Sequence, residues 1–484
     1  METSHLRARA LGPCEKYSSS RHALGFYKCV INTCRYAIPA DRLQDRSISE
    51  VFEEAVANVV LDIPSLSVGI KDEETSSPYF VYLPAINLQL HLGYLEIAGD
   101  FEAGLIQKLQ DQHDQYFSDI AHRPPWRVTI VSNPHQEDEL LNFEVIFAVH
   151  HSIADGRSTA MFHTKLLDEL SSPSKRPIQL SNHVLSISPD RELTPPLEEV
   201  VEFTQSWSFL FGTLFRELGP AWLSGSSMAV PWTGKSIAPE PFQTHLRLVT
   251  VPAAAAPSVL AACRGHGTTL TPLLHALVLA SLAKIIPVKD THAFCSSTPI
   301  DLRPFASGNP LSKHNGMIPF GVLVTTQMHH FEPDEIRGSW DEADIWRTAV
   351  SLKGRIREHL ETVPKDDIIS MLSWVSDWRK FWLSKVGTSR QNTWEVSNIG
   401  SIRGVSDINQ SQPGWRIRRS IMSQGATVAG AAIGVNVAGV TGGDICITLS
   451  WQEGIVETNL VEKLERDLRR WLCQLGSGEK LAWE

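Results

Sequence analysis

Short apolar runs of strand character alternate with amphipathic helical segments along the first part of the chain. The segments "LGFYKCVINTCRYAI" (24–38), "RVTIVSN" (127–133) and "FEVIFAVH" (143–150) are rich in aromatic and β-branched residues, which favour strands. Between and after them, "SISEVFEEAVANVVLDIPSL" and "RSTAMFHTKLLDEL" place apolar residues at helical spacing. The pattern predicts a mixed α/β fold in which a strand ends near residue 150 and a helix follows it closely.

A change of composition separates two halves of the chain. A chain of 484 residues favours two domains, and residues 172–242 are rich in Ser, Pro and aromatic side chains. The aromatic content is too high for a disordered segment, so we interpret this stretch as a crossover between two lobes. The strand-then-helix order starts again at "THLRLVTV" and "GTTLTPLLHALVLASLAKII". The predicted lobes are therefore residues 1–171 and 243–484.

Composition and charge narrow the class of protein. Apolar residues make up 42% and charged residues 20%, as in an ordinary soluble globular enzyme, and the net charge of −10 argues against a nucleic-acid partner. Seven widely spaced cysteines without a CxxC argue against a disulfide framework or a zinc site. We expect no signal peptide, because no apolar run follows the charged N-terminus. We also expect no transmembrane segment, because the uncharged stretch 420–443 is broken by glycines and predicts two strands around a turn. A cytoplasmic protein is expected, with peripheral membrane association left open.

The segment "AVHHSIADG" (148–156) has three interpretations. Neighbouring strand side chains point to opposite faces, so His150 and His151 cannot easily hold one metal ion, although Asp155 could add a ligand. A neutral imidazole at a strand end could instead act as a base. In that case His150 shares a face with Ile146, and His151 emerges on the other side or on the loop. The third interpretation is that both histidines are packed in the core.

The fuller pattern HHSIADG, at a junction between strand and helix, favours chemistry over simple packing. Gly156 leaves room for a ligand to approach the backbone, and Asp155 lies close to a helix start, where an anion is favoured. The pair His329-His330 in "TTQMHHFEPDE" has no Asp-Gly behind it, and we assign it no chemistry.

HHxxxDG resembles the active-site signature of the CoA-dependent acyltransferase superfamily. The segments "HALGFYKCVINTCRY", "PWTGKSI", "STPIDLRPF", "WEVSNIGSI" and "GGDICITLSWQEGIVE" occur in an order similar to that of the fungal alcohol acetyltransferase family. This similarity extends over roughly residues 10–475. The DFGWG motif of the plant BAHD enzymes is absent, which disfavours that branch.

The resemblance implies an α/β fold of two related chloramphenicol-acetyltransferase-like lobes. Each lobe is a mixed sheet with flanking helices, and a channel lies between them. It also implies that His151 is the general base, taking a proton from an acceptor alcohol that attacks the thioester of an acyl-CoA without an acyl-enzyme. The implied co-substrates are acetyl-CoA or another acyl-CoA and a small hydrophobic alcohol or natural-product hydroxyl. No permanent cofactor, no metal and a monomeric protein are expected.

The remaining site residues follow from the same resemblance. Asp155 is expected to face away from the channel and to pair with Arg303 of "DLRP" from the other lobe. Ser397 or Asn398 of "SNIG" could donate a hydrogen bond to the oxyanion. The expected structural residues at the site are His150, Asp155, Gly156 and Arg303.

Several points stay open at this level. Lys235 and Arg403 are the only candidates for contacts to the 3′-phosphate of CoA, and a donor carried on a protein is an alternative. O-acylation and N-acylation are not distinguished. Two other functions compete with acyl transfer. One is a CoA-independent cyclisation, epimerisation or pericyclic reaction on the same scaffold, and the other is non-catalytic binding.

Overall fold

The structure is a computed structural model. It describes residues 7–40, 43, 46–134, 140–172, 180–188, 191–218, 230–287, 289, 293–306, 319–332, 340–406 and 414–482, with backbone only for 213–218. The helices are α1 Pro13–Ala23, α2 Ile48–Asp62, α3 Phe101–Asp114, α4 Gly156–Ser171, α5 Leu197–Val200, α6 Trp207–Leu218, α7 Ala256–Gly265, α8 Leu270–Ile285, α9 Glu342–Thr362, α10 Trp378–Lys385 and α11 Thr458–Gly476. Short 3-10 turns are Pro64–Ser67, Leu88–Leu90, Arg303–Phe305 and Ile368–Trp374.

The strands build two large sheets and two small ones. In chain order they are β1 Arg7–Ala10, β2 Val30–Pro39, β3 Val68–Lys71, β4 Tyr79–Tyr82, β5 Ala85–Asn87, β6 Leu92–Glu96, β7 Trp126–Ser132, β8 Leu140–Val149, β9 Leu180–Ser181, β10 Val184–Ser186, β11 Thr244–Val251, β12 Phe294–Asp301, β13 Val324–Phe331, β14 Trp394–Ile402, β15 Arg416–Gln424, β16 Ile433–Val440 and β17 Ile445–Gln452. One large sheet has the order β15-β2-β8-β7-β6 and the other β11-β17-β16-β14-β12-β13. Both mix parallel and antiparallel pairs, which confirms the predicted α/β class with two lobes.

Strand β8 is buried on both faces because helices or strands cover each of them. Its alternate side chains Val145 and Phe147 enter the core shared with α2 and α4, where Phe147 stacks on Phe162 with ring centroids 3.8 Å apart. Ile146 and Ala148 face the opposite core. The strand therefore delivers the residues that follow it to a fixed place between two packed layers.

Helix α8 forms the centre of the second lobe. Its sequence is apolar almost all round, as expected for a helix buried on every side. The amphipathic α11 packs against it through Leu464, Leu468 and Trp471. Among the helices of the described residues, none is long and apolar enough by itself to cross a membrane. By length and composition alone, α7 and α8 pass as a pair, bent by 89°.

Strand β15 belongs to the second half of the chain but pairs antiparallel with β2 in the first sheet. Arg419 on this strand donates to Glu144 of β8 at 2.6 Å and to Glu102 of α3 at 2.8 Å. A shared apolar cluster also joins residues of both sheets, including Ile146 and Ile421 of the first sheet and Leu246 of the second. The two lobes are therefore interlocked rather than consecutive. The apolar pattern of β15 predicts a strand but carries no information about which sheet it joins.

The crossover is partly described. Its β9 and β10 form a small sheet with β5, and α5 and α6 follow. Residues 173–179, 189–190 and 219–229 of the predicted linker 172–242 lie outside the described residues. The predicted lobe boundaries stay a prediction.

The shared cluster should contribute strongly to stability. Ile421→Ala removes a fully buried side chain from β15, so we expect it to lower the free energy of unfolding by about 2–5 kcal/mol. The matched control Ile368→Ala changes a side chain that is 47% exposed and should cost no more than about 0.5 kcal/mol. Urea denaturation followed by tryptophan fluorescence measures both. Equal effects of the two variants would contradict the interlocked arrangement.

Candidate active site

The HHSIADG segment forms a tight loop fixed at both ends. At the start, the His150 backbone N–H donates to the carbonyl of Pro125 at 3.0 Å. At the end, the Asp155 carboxylate caps α4 by accepting from the Ser158 N–H at 2.8 Å. An acidic N-cap satisfies a free backbone donor and suits the positive end of the helix dipole.

His150 is fully buried and is held by hydrogen bonds at both ring nitrogens. Its Nδ1 accepts from the Ser152 N–H at 3.0 Å, so the ring proton is on Nε2, which donates to Glu73 at 2.9 Å. Glu73 also accepts from Nδ1 of His22 at 3.1 Å. Burial opposes ionisation of Glu73, but the hydrogen bonds from the two imidazoles outweigh it and lower its pKa to about 2. His150 is thus committed to holding the loop.

The same three residues are the metal-ligating group found among the described residues. The ligand atoms of His22, Glu73 and His150 lie within 4.8 Å of one another, a donor set that zinc accepts. Asp155, which the sequence analysis considered as a metal ligand, is not part of this group, because its carboxylate is paired with Arg303. Both imidazoles already donate to Glu73, so direct hydrogen bonding accounts for the geometry. His22 and Glu73 lie far from the motif in sequence, and no local pattern identified them.

His151 differs from its neighbour in exposure and in available chemistry. Its ring is half-buried and lies 5.6 Å from the ring of Tyr27. The buried Nδ1 has no hydrogen-bond partner among the described residues. Burial and the positive charge of Arg21 lower the pKa of His151 to about 4. The imidazole is therefore neutral at pH 7, and a proton on Nδ1 leaves the Nε2 lone pair free.

Asp155 and Arg303 form the bidentate ion pair that the sequence resemblance implied. Arg303 donates to the two carboxylate oxygens at 2.9 and 3.0 Å, and both side chains are only 5% exposed. Burial alone would raise the pKa of Asp155, but the Arg303 charge and the backbone N–H groups of Leu323 and Ser158 hold it below its usual range. Because β12 leads directly into Arg303, the pair connects the loop of the first lobe to the second.

Gly156 is required by protein packing rather than by a ligand. A Cβ at this position would lie 2.7 Å from Ile399 Cγ2 and 2.9 Å from Met422 Cε. The space that the sequence analysis assigned to an approaching ligand is therefore filled by β14 and β15. The start of α4 is pressed against both strands, and Arg157 donates to the Ile399 carbonyl at 2.9 Å.

The two candidate oxyanion donors differ in availability. Asn398 Nδ2 donates to Thr271 at 3.0 Å, and its Oδ1 accepts from the Gly400 N–H at 2.8 Å. The Ser397 hydroxyl makes only a long contact, 3.9 Å, to the sulfur of Met422. Ser397 therefore retains a hydroxyl donor, while the amide of Asn398 is used within the protein.

The sequence analysis did not identify a row of hydrogen-bonded polar side chains beside His151. The Tyr27 hydroxyl donates to Gln424 at 3.1 Å, and Gln424 donates to Glu395 at 2.9 Å. Glu395 lies two residues before Ser397 on β14, so strand alternation places both on one face. The strand alternation in "WEVSNIG" was therefore the pattern from which Glu395 could have been identified.

The two candidate residues for contacts to the 3′-phosphate of CoA differ in their neighbouring charges. Arg403 donates to Asp168, which neutralises much of its charge. Lys235 is exposed, and no ion pair involves it within the described ranges. A phosphate contact by either residue stays a prediction.

Comparisons with known proteins identify the family of this chain. The alcohol acetyltransferase family model matches residues 96–469. The chain is 30% identical over 479 residues to "Probable alcohol acetyltransferase FCK4" of Fusarium pseudograminearum, covering 97% of this chain and 95% of that protein. It is 23% identical over 481 residues to "Probable alcohol acetyltransferase crmB" of Aspergillus fumigatus, covering 95% and 98%.

Solved structures share the fold. TRI3 trichothecene 15-O-acetyltransferase from Fusarium sporotrichioides matches with a TM-score of 0.70 at 12% identity, over 98% of this chain and 95% of that one. The first condensation domain of the calcium-dependent antibiotic synthetase matches with a TM-score of 0.61 at 14% identity, over 98% of each chain. These structures share the two-lobed fold, and the family model and the curated relatives define an acyltransferase. The chain belongs to the alcohol acetyltransferase family, which implies an acyl-CoA co-substrate and an alcohol acceptor.

Breaking the buried ion pair should destabilise the protein. Asp155→Asn or Arg303→Ala leaves one buried partner without its counter-charge, and we expect a loss of about 3–5 kcal/mol of folding free energy. Asp301 also contacts Arg303 but is 37% exposed, so Asp301→Asn should cost no more than about 1 kcal/mol. Chemical denaturation distinguishes these values. A stable Asp155→Asn variant would disprove the structural role of the pair.

Stability should fall as the solution becomes acidic. Burial lowers the pKa of His22, His91, His151, His163 and His329 to about 4. In the unfolded chain these groups titrate near 6.5. Between pH 6.5 and 4 the unfolded state therefore binds more protons than the folded state, and the free energy of unfolding decreases as the pH falls. The urea midpoint should therefore decrease steadily from pH 7 to pH 4.5. A urea midpoint that stays constant or rises between pH 7 and pH 4.5 would contradict this prediction.

Proposed function

We propose that the protein transfers an acetyl or short acyl group from acyl-CoA to a hydroxyl of an alcohol or natural-product intermediate, with His151 as the general base. The observation that carries this proposal is the state of His151. It has a neutral, half-buried imidazole, and its Nε2 has no hydrogen-bond partner in the described part of the chain. A base must be unprotonated at the working pH and must reach the substrate hydroxyl through an unoccupied nitrogen.

The chemistry needs one base and one oxyanion donor. The acceptor hydroxyl donates to Nε2 of His151, and its oxygen attacks the thioester carbonyl as the proton moves to the imidazole. The resulting tetrahedral oxyanion accepts a hydrogen bond from the Ser397 hydroxyl. When the intermediate collapses, the C–S bond breaks and the imidazolium returns its proton to the CoA sulfur. The products are the ester and free CoA, and the enzyme ends in its starting state.

The other residues of the site hold the loop in position. His150 and Glu73 hold the first half of the loop, and the Asp155–Arg303 pair holds the second half. Gly156 lets the start of α4 pack against β14 and β15. The low pKa of His151 fits this division, because it keeps the ring unprotonated at pH 7 and free to accept the proton of the acceptor hydroxyl.

Relatives support the choice of acyl group and acceptor. Both fungal relatives are described as probable alcohol acetyltransferases, and the structural relative TRI3 is a trichothecene 15-O-acetyltransferase. His151, Asp155 and Gly156 are all present, which disfavours a non-catalytic binding protein. We extend the proposal to a monomeric cytoplasmic enzyme with no resident cofactor.

Removing the base should abolish activity without unfolding the protein. His151→Ala should lower kcat with acetyl-CoA and an accepted alcohol by about 100-fold or more, since general-base catalysis contributes about 10²–10⁴-fold. Its melting temperature should stay close to that of the wild type, because Nδ1 makes no bond to another described residue. Release of free CoA thiol measures the rate.

His330→Ala is the matched control for this variant. His330 also follows another histidine but is exposed and far from the motif in sequence, so its replacement should leave the rate unchanged. Turnover of purified His151→Ala at the wild-type rate would show that another group is the base.

A further inference from the structure

Two oppositely charged side chains beside His151 have no ion-pair partner within the described residues. Arg21, in the last turn of α1, lies over the rings of Tyr17 and Tyr27 at 4.3 and 5.0 Å, and its Nε is buried without a hydrogen bond. Glu395 on β14 accepts only from uncharged groups, Gln424 at 2.9 Å and Ser297 at 3.3 Å, and burial raises the pKa of its carboxyl group. Unpaired charges are unusual in a partly buried setting, because removing a charge from water is costly.

Tyr27 places both charges at the catalytic imidazole. Its ring lies 5.6 Å from that of His151, and its hydroxyl reaches Glu395 through Gln424. On β14, Val396 points into the core of the second lobe, so Glu395 points to the opposite face, where Ser397 also lies. Glu395 is therefore two hydrogen bonds away from Tyr27, whose ring lies beside the proposed base.

The Glu395 carboxylate has unused capacity to accept hydrogen bonds. A carboxylate offers about four lone-pair sites, and Gln424 and Ser297 fill two of them. The side chain is half-buried, so its surface is not sealed by the protein. The neighbouring network does not depend on it, because Gln424 also donates to Asn436 at 3.0 Å. A purely structural role would be met by a neutral side chain of the same shape.

We propose that Glu395 selects the acceptor by accepting a hydrogen bond from a second hydroxyl of the substrate while His151 binds the reacting hydroxyl. This inference rests on the proposed acyl transfer and makes it more specific. The substrate class is a diol or polyol rather than an alcohol with one polar group. Arg21 lies on the other side of Tyr27 and offsets part of the carboxylate charge.

Matched pairs of acceptors test the proposal. Wild type, Glu395→Gln and Glu395→Ala are assayed by CoA thiol release with acetyl-CoA. The acceptors are 1-octanol against 1,8-octanediol, with shorter diols and amino alcohols as further arms. Wild type should favour one or more diols over the matching mono-alcohol by about 10-fold or more in kcat/KM, the range for a hydrogen bond to a charged group. Glu395→Ala should bring this ratio close to one, and Glu395→Gln should retain part of it for diols but not for amino alcohols.

The control is Glu96→Gln, at an exposed position on β6, which should keep both the rate and the ratio. Melting temperatures of the Glu395 variants within a few degrees of wild type exclude a folding defect, and Glu395→Gln preserves the shape if the alanine variant is unstable. A diol preference that survives in both variants, or that is absent in the wild type, overturns the proposal.

Binding without turnover separates this proposal from the proposed function. If the wild type releases no CoA with any alcohol, acyl transfer itself is disproved. The thermal shift caused by the diols then decides the role of Glu395. A larger shift for wild type than for Glu395→Ala supports the assignment, and equal shifts overturn it.

Discussion

The buried ion pair between Asp155 and Arg303 is the constraint on which the site depends. Removing two charges from water costs free energy. That cost is offset only when nearly every lone pair and N–H donor of the pair makes a hydrogen bond. Each oxygen of Asp155 accepts one guanidinium N–H and one backbone N–H, from Ser158 on one side and Leu323 on the other. Such a pair has a narrow range of acceptable geometries, so it fixes the loop of the first lobe relative to the second.

That fixed loop explains why two adjacent histidines have different roles. His150 continues the direction of β8 into a sealed space, where Ser152 and Glu73 occupy both of its ring nitrogens. His151 is one residue farther along, where the chain turns, and it emerges half-buried beside Tyr27. Desolvation and the nearby Arg21 then keep its imidazole neutral. His150 thus holds the loop in position, and His151 presents the neutral ring that we propose as the base.

Local patterns in the sequence predicted what is local in the structure. The alternation in β8, the helix after Gly156 and the opposite faces of the two histidines follow from strand and helix periodicity alone. The Asp155–Arg303 pair came from a resemblance, since nothing in their spacing of 148 residues brings them together. The pairing of β15 with β2 and the contacts of His22 and Glu73 with His150 depend on long-range packing, which periodicity does not encode. Strand alternation alone could have identified Glu395, because it shares a face of β14 with Ser397.

The state of the His151 ring is tested most directly by titrating its ¹⁵N signals by NMR, assigned with a His151→Gln variant. A base held as described should titrate near pH 4, well below a free imidazole at about 6.5, and carry its proton on Nδ1 at pH 7. A pKa at or above 6.5, or a proton resident on Nε2, would contradict the assignment of this imidazole as the base.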